Sequence, residues 1–212
     1  MLDARRFQAV MWAPRGYASF LPSSEGALPR EEFAYLIRTG RAVLYPVYKG
    51  TYERRPAEHG PNVARETYVQ FVKDIFQSVT FLESRGEIDK RRIAYKGYSL
   101  GAWIGVMALA LEPRFNTGVL ICGGLLSKPW DGELEQLNFA PRVHMPILMV
   151  GGRDDFIRPP DVSQRPLFEL LGTPAADKRL ALFEGGHIPP MQGMMRETLE
   201  WLDKYLGPIG RP

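Results

Sequence analysis

A chain of 212 residues, 45% of them hydrophobic and 24% charged, is long and apolar enough for one large core, so we predict a single globular domain over residues 1–212 and exclude a disordered protein. Its 27 basic residues are interspersed with 24 acidic ones, which argues against a nucleic-acid-binding surface. The single cysteine, Cys122, excludes an internal disulfide and a multi-cysteine zinc site, and its apolar neighbours predict a buried structural thiol.

Short apolar runs alternate with amphipathic segments in the first half of the chain. Strands are predicted at residues 7–13 and 41–47, with a helix at 28–39 between them. Because Pro46 cannot donate to a strand ladder, the second strand should lie at an edge or end there. Apolar side chains spaced three and four apart predict a longer helix at 65–85, followed by a polar turn at 89–91.

The same alternation continues to the end of the chain. Further strands are predicted at residues 92–95, 117–122, 146–150 and 179–183, and helices at 102–111, 162–171 and 191–205. The irregular segment 125–143 is a candidate for a short, cap-like cover over a functional site. Strands that alternate with helices predict a parallel sheet of about six strands with helices on both faces.

The sequence Gly97-Tyr98-Ser99-Leu100-Gly101 lies between a predicted strand and a predicted helix. A serine on such a strained turn exposes its hydroxyl above the sheet, and the flanking glycines relieve the crowding that side chains would cause. The N–H of Leu100 would face a developing oxyanion. A second N–H donor is expected from the loop after the first strand, around Gly16 and Tyr17.

Two further polar residues follow predicted strands, each after a glycine. Asp155, with its neighbour Asp154, follows the strand at 146–150, and His187 follows the strand at 179–183. Ligands bind beyond the carboxyl ends of parallel strands, so Ser99, Asp155 and His187 are predicted to meet as nucleophile, orienting acid and general base. Asp155 is preferred over Asp154, although both could be simple turn residues.

The remaining histidines show no metal-ligand spacing, and we expect neither a metal nor a cofactor. His59 lies in a polar loop, where a solvated role is favoured, and His144 borders a strand. Tyr17 and four further apolar or aromatic side chains are candidates for the wall of a substrate pocket: Trp103, Trp130, Phe156 and Ile188. For Trp103, plain helix core is an equally good interpretation.

These motifs resemble the α/β-hydrolase family, in particular the branch with dienelactone hydrolases, acetyl esterases and prolyl oligopeptidase catalytic domains. The resemblance is carried by residues 87–93 leading into 97–101, by residues 145–155 with Pro159, and by residues 185–187. In that family the acid lies three residues after a glycine, which, counted from Gly152, implies Asp155. The resemblance implies a minimal α/β-hydrolase fold that lacks the family's first two strands.

Two departures from the family pattern have consequences. The family often carries a His-Gly-Gly oxyanion loop, and here its place is taken by Pro14-Arg15-Gly16-Tyr17. Without the first two strands, residues 41–47 would form an exposed edge, and such an edge can pair with another chain. We therefore expect the edge to be covered either by the N-terminal residues or by a partner subunit in a homodimer.

The function expected from these residues is hydrolysis of carboxylic esters through an acyl-enzyme, with a small-molecule ester as substrate. The segment 125–143 is too short for a large lid, which favours small or short-chain acyl groups. A peptidase of the prolyl oligopeptidase type and a non-catalytic binding protein remain as alternatives. No signal region or membrane-spanning run is evident, so a cytoplasmic location without membrane partners is expected.

Overall fold

A parallel sheet forms the centre of the computed structural model, which describes residues 6–57, 60–126 and 132–209. In spatial order its strands are β2-β1-β3-β4-β5-β6, and every neighbouring pair is parallel. The strands are β1 Phe7–Ala13, β2 Ala42–Leu44, β3 Ile88–Tyr98, β4 Thr117–Ile121, β5 Ile147–Gly152 and β6 Lys178–Phe183. This confirms the predicted sheet of about six parallel strands.

Helices cover both faces of the sheet, as predicted. They are α1 Arg30–Arg38, α2 Pro61–Ser84, α3 Leu100–Leu111, α4 Arg165–Leu170, which follows a π-helical turn, and α5 Met191–Leu206. Side chains alternate along β1, so that Ala9 and Met11 pack towards α2 and α3, whereas Val10 and Trp12 pack towards α1 and α5. The central strand β4 is buried along its whole length, so it lies in the middle of the core.

The bounds of β2 and β3 differ most from the prediction. β2 covers three residues rather than the predicted 41–47, because Pro46 has no N–H for the ladder, and the chain leaves the sheet before it. β3 begins earlier, since Ile88 already pairs with Phe7, and its register shifts before Ile93 pairs with Ala9. The polar residues 89–91 therefore lie within an irregular part of β3 rather than in a turn. A homodimer through β2 stays a prediction, and solution scattering would test it.

The carboxyl ends of the strands lie at one edge of the sheet, and the loops that follow them carry the predicted site residues. Between β4 and β5, residues 132–142 form three short 3-10 turns, and Leu134, Ala140 and the following Val143 are buried in the core. The described part of the predicted cover is thus packed into the protein. Among the described residues, no helix is both long and apolar enough to cross a membrane.

Candidate active site

Ser99 lies on a sharp turn between β3 and α3. Its backbone has φ 50° and ψ −102°, in the left-handed half of conformational space that side chains rarely occupy. The turn is held on both sides, because the Ser99 N–H donates to the Ile121 carbonyl at 2.8 Å and the Ser99 carbonyl accepts from the Trp103 N–H at 2.9 Å. Strain of this kind persists only where the surroundings enforce it, and here it exposes the Ser99 hydroxyl at the sheet edge.

The two glycines of the turn are required by close backbone contacts. A Cβ atom at Gly97 would lie 2.4 Å from the Gly101 carbonyl oxygen, and one at Gly101 would lie 2.4 Å from the Ala13 carbonyl oxygen. The Gly101 N–H also donates to the Pro14 carbonyl at 2.9 Å. The turn is therefore pressed directly against the end of β1, which brings the loop after β1 beside Leu100.

Three polar side chains form a hydrogen-bonded chain at this edge. Ser99 Oγ lies 2.9 Å from His187 Nε2, and His187 Nδ1 lies 2.8 Å from Asp155 Oδ2. The Asp155 side chain is fully buried, whereas that of His187 is 14% exposed. The structure thus brings together the three residues that the sequence singled out, in the order that proton transfer from the serine would need.

The carboxylate in this series of hydrogen bonds belongs to Asp155 and not to Asp154. The second oxygen of Asp155, Oδ1, accepts backbone N–H bonds from Ile157 and Arg158, both at 2.9 Å. These donors fix the carboxylate, so that its other oxygen faces His187. Asp154 is exposed, and its own N–H donates to the Gly185 carbonyl at 3.0 Å. Asp154 therefore joins the two loops through its backbone.

Cys122 also contacts the histidine loop, which sequence reasoning missed. Its thiol donates to the His187 carbonyl at 2.6 Å, and burial raises the pKa of the thiol to about 12, with the charge of Asp155 adding to the effect. Potential metal-ligand atoms of Cys122, Asp155 and His187 lie within 4.8 Å of one another. In this structure the three groups are joined by hydrogen bonds, from the thiol to the His187 carbonyl and between His187 Nδ1 and Asp155 Oδ2.

The candidate oxyanion donors lie side by side. A Cβ atom at Gly16 would be 3.9 Å from Leu100 Cβ, so the loop carrying Gly16 and Tyr17 borders the first residue of α3. Residues Gly16–Ser19 form a single 3-10 turn, in which the Ala18 N–H donates to the Arg15 carbonyl at 3.2 Å. The loop that carries Gly16 and Tyr17 therefore lies next to Leu100, and a second oxyanion donor from this loop stays a prediction.

The pocket candidates fall into different places. Trp103 is 2% exposed and packs edge-on against Tyr68 with 5.1 Å between the ring centroids, so it belongs to the core. Phe156 and Ile188 are 81% and 63% exposed, directly after Asp155 and His187 at the rim of the site. Trp130 and His59 lie outside the described residues. His144 lies three residues before β5, as predicted for a position bordering a strand, and its ring is 3.3 Å from the Gly172 carbonyl.

A groove of about 800 Å³ begins at Leu100, and sequence reasoning did not predict it. Its apolar wall includes Phe20, Val63, Tyr68 and Phe71. These residues come from the loop after β1 and from α2, and no motif in either segment marks them as pocket residues. Leu100, the residue after Ser99, is where the groove meets the turn.

A buried lysine lies beneath the site on the α1 side of the sheet. Lys96 is 0% exposed, and its Nζ sits 3.8 Å from the centroid of the Trp12 ring. Burial lowers the pKa of Lys96 to about 7, an effect that the nearby carboxylate of Glu32 opposes. The alternation of side chains along β3 turns Lys96 towards a buried face. Because lysine is a charged residue type, the sequence did not predict this burial.

A serine on a strand-to-helix turn, an acid and a histidine after later strands, and a parallel sheet with helices on both faces together define an α/β-hydrolase fold. Residues 31–187 match the model of the dienelactone hydrolase family. The match covers most of the chain, which therefore belongs to this family. The predicted resemblance is confirmed at that level.

Individual relatives are more distant. An uncharacterised protein of Mycobacterium tuberculosis is 28% identical over 183 residues, which is 79% of this chain and 60% of the relative. The chain thus spans about 60% of the length of that curated relative.

Solved structures share the fold at low identity. A putative dienelactone hydrolase from Klebsiella pneumoniae superposes with a TM-score of 0.74 at 16% identity, over 97% of this chain and 90% of that one. Acetyl xylan esterase 1 from Thermoanaerobacterium gives a TM-score of 0.71 at 16% identity, over 96% of this chain and 76% of that one. At these identities the likeness shows the shared fold.

Proposed function

We propose that this protein is a serine esterase that hydrolyses carboxylic esters through an acyl-enzyme on Ser99. The observation that carries the proposal is the continuous hydrogen-bonded chain from Ser99 through His187 to Asp155, with distances of 2.9 and 2.8 Å. A serine hydroxyl is a weak nucleophile at neutral pH and needs a base at hydrogen-bonding distance, which His187 Nε2 provides.

In the proposed reaction, Ser99 Oγ attacks the ester carbonyl while His187 Nε2 takes the hydroxyl proton. Asp155 holds the ring so that Nε2 faces the serine, and it stabilises the imidazolium. Backbone N–H groups of Leu100 and of Gly16 or Tyr17 would receive the oxyanion, each typically contributing about 3 to 4 kcal/mol to the transition state. His187 then protonates the departing alcohol, and a water molecule, activated by the same base, hydrolyses the acyl-enzyme.

For the substrate we propose an ester with a small or short-chain acyl group. The described residues 132–143 form three short turns with side chains packed into the core, which supports the absence of a large lid in this part of the chain. The groove of about 800 Å³ at Leu100 offers room for the rest of the ester. The fold shared with an acetyl xylan esterase is consistent with esterase activity but does not indicate which alcohol the ester carries.

The test compares the wild type with Ser99→Ala. We expect the wild type to be labelled by a fluorophosphonate and to release nitrophenol from p-nitrophenyl acetate and butyrate faster than from longer esters, and Ser99→Ala to do neither. Equal rates for both proteins would refute the proposal. If aminoacyl anilides were cleaved faster than the matched esters, a peptidase would replace the esterase.

The orienting acid is tested by Asp155→Asn, with Asp154→Asn as the matched control. Because the amide reverses the hydrogen bond to His187 Nδ1 and favours the wrong tautomer, we expect kcat to fall by about 10⁴ for Asp155→Asn. Asp154 is exposed, so its variant should stay within about threefold of the wild type. An equal or larger loss at Asp154 would overturn the assignment.

A further inference from the structure

Arg15, which the proposed mechanism does not use, lies in the loop that follows β1. Its backbone is extended, with φ −69° and ψ 161°, and its side chain is 26% exposed. The guanidinium forms an ion pair through Nη2 with Oε1 of Glu32 on α1, whose side chain is 7% exposed. The ion pair thus anchors the loop to a helix on the face of the sheet opposite α3.

The same guanidinium contacts the rings of Tyr17 and Tyr98. Its central carbon lies 5.1 Å from the centroid of the Tyr17 ring and 4.9 Å from that of Tyr98, distances typical of cation–π contacts. Tyr17 belongs to the loop after β1, and Tyr98 is the residue before Ser99. Arg15 therefore connects the candidate oxyanion loop to the strand that ends at the nucleophile.

The loop has a second anchor on its other side. The Pro14 carbonyl accepts from the Gly101 N–H at 2.9 Å, and Gly16 borders Leu100. The main chain between Pro14 and Tyr17 is thus fixed by the turn below it and by Arg15 beside it.

We propose that Arg15, held by Glu32 and packed between Tyr17 and Tyr98, is a positioning residue that sets the loop after β1 so that its backbone N–H groups complete the oxyanion site opposite Leu100. The proposal rests on the esterase function proposed above. Oxyanion stabilisation requires donors that are fixed before the reaction, and small displacements of such groups reduce the rate steeply. Arg15 does this through the backbone and need not touch the substrate.

The test uses three variants and one control. Arg15→Lys keeps the charge but loses the planar group that packs between the rings, and Glu32→Gln keeps the shape of the anchor without its charge. The double variant Arg15→Met with Glu32→Gln removes both charges, so that no buried carboxylate is left without its ion pair. Arg165→Lys alters an exposed ion pair with Asp161 and serves as the matched control.

For each protein we would measure kcat and KM on p-nitrophenyl acetate and the affinity for a trifluoromethyl ketone, whose adduct with the serine carries an oxyanion. We expect the Arg15 variants to lower kcat by about 10- to 100-fold, with KM within about threefold of the wild type. Their affinity for the ketone should fall by about the same factor as kcat. Glu32→Gln should show a smaller loss in the same direction, and Arg165→Lys none. Thermal unfolding would verify that every variant is folded at the assay temperature.

The possible results separate this proposal from the one on which it rests. If the wild type is active and the folded Arg15 variants keep kcat and ketone affinity while only their unfolding temperature falls, Arg15 is merely structural and the positioning role is wrong. If the wild type shows no activity that depends on Ser99, the esterase proposal itself fails. Parallel losses in kcat and ketone affinity with KM unchanged would support both.

Discussion

Replacing Lys96 by methionine should stabilise the folded protein, and the gain should be largest at low pH. The Lys96 side chain is fully buried, and its Nζ has no hydrogen-bond partner among the residues that the structure describes. Burial lowers its pKa from 10.5 to about 7, and the charge of Glu32 on α1 opposes the shift. Methionine has a similar length and no charge, so it can fill the same space beside Trp12 and Tyr35.

The magnitude follows from the pKa. One pKa unit corresponds to about 1.36 kcal/mol, so a fall from 10.5 to about 7 means that the folded state loses about 5 kcal/mol by holding a charged lysine away from water. The cation–π contact with Trp12 acts at the same time and contributes about 1 to 2 kcal/mol. We therefore expect Lys96→Met to raise the free energy of unfolding by about 3 to 4 kcal/mol near pH 6.

The sign of the pH dependence is fixed by proton counting. Between the folded pKa of about 7 and the unfolded value of 10.5, the unfolded chain binds a proton at Lys96 that the folded chain does not. The stability of the wild type therefore rises with pH across this window, and below it the whole penalty remains. The advantage of Lys96→Met should shrink by about 1.4 kcal/mol per pH unit as the pH rises through the window.

Urea denaturation at pH 6, 7, 8 and 9 would measure these free energies. The matched control is Lys73→Met on α2, where the side chain is exposed and the change should stay within about 0.5 kcal/mol at every pH. A gain for Lys96→Met that did not vary with pH, or a loss of stability at pH 6, would refute the reasoning. Either result would mean that the native protein accommodates the charged ammonium.

Two further predictions concern the turn and the cysteine. Gly101→Ala should destabilise the fold by about 3 kcal/mol or more and abolish esterase activity, because its Cβ would lie 2.4 Å from the Ala13 carbonyl oxygen. The control Gly86→Ala, which has open space around its Cβ, should be close to neutral. Thermal unfolding would measure both changes. A folded, active Gly101→Ala protein would contradict this. The Cys122 side chain is 1% exposed, and burial raises its pKa to about 12, so it should react with a disulfide reagent at pH 8 only after unfolding in guanidinium. Rapid labelling of the native protein would contradict its burial.

Local sequence determined the larger part of the fold. The turn at 97–101 could be predicted because its glycines and serine are neighbours in the chain, and the strand and helix order followed from periodicity. Strand ends were harder to predict. β2 stops at Leu44, shortly before Pro46, which has no N–H for the ladder, whereas β3 takes in the polar residues 89–91 because Ile88 already pairs with Phe7 of β1.

The positions of Ser99, Asp155 and His187 at one edge of the sheet also followed from the sequence, because parallel strands bring the loops at their carboxyl ends together. Their catalytic roles remain a prediction. The spacing after Gly152 favoured Asp155 over Asp154, but the two residues are neighbours, and the tertiary structure showed which of them is hydrogen-bonded to His187.

The surroundings of the site were decided entirely by packing. The sequence did not indicate that Arg15 would lie between Tyr17 and Tyr98, that the Cys122 thiol would reach the His187 carbonyl, or that Lys96 would be buried. Apart from Arg15 and Tyr17, which share one loop, the residues in these contacts are distant in the chain, and the geometry of the contacts depends on how helices and strands pack on one another. The sequence by itself determined which residues could do the chemistry, and the tertiary structure determined which groups surround and orient them, because burial and contact distance arise only when the layers come together.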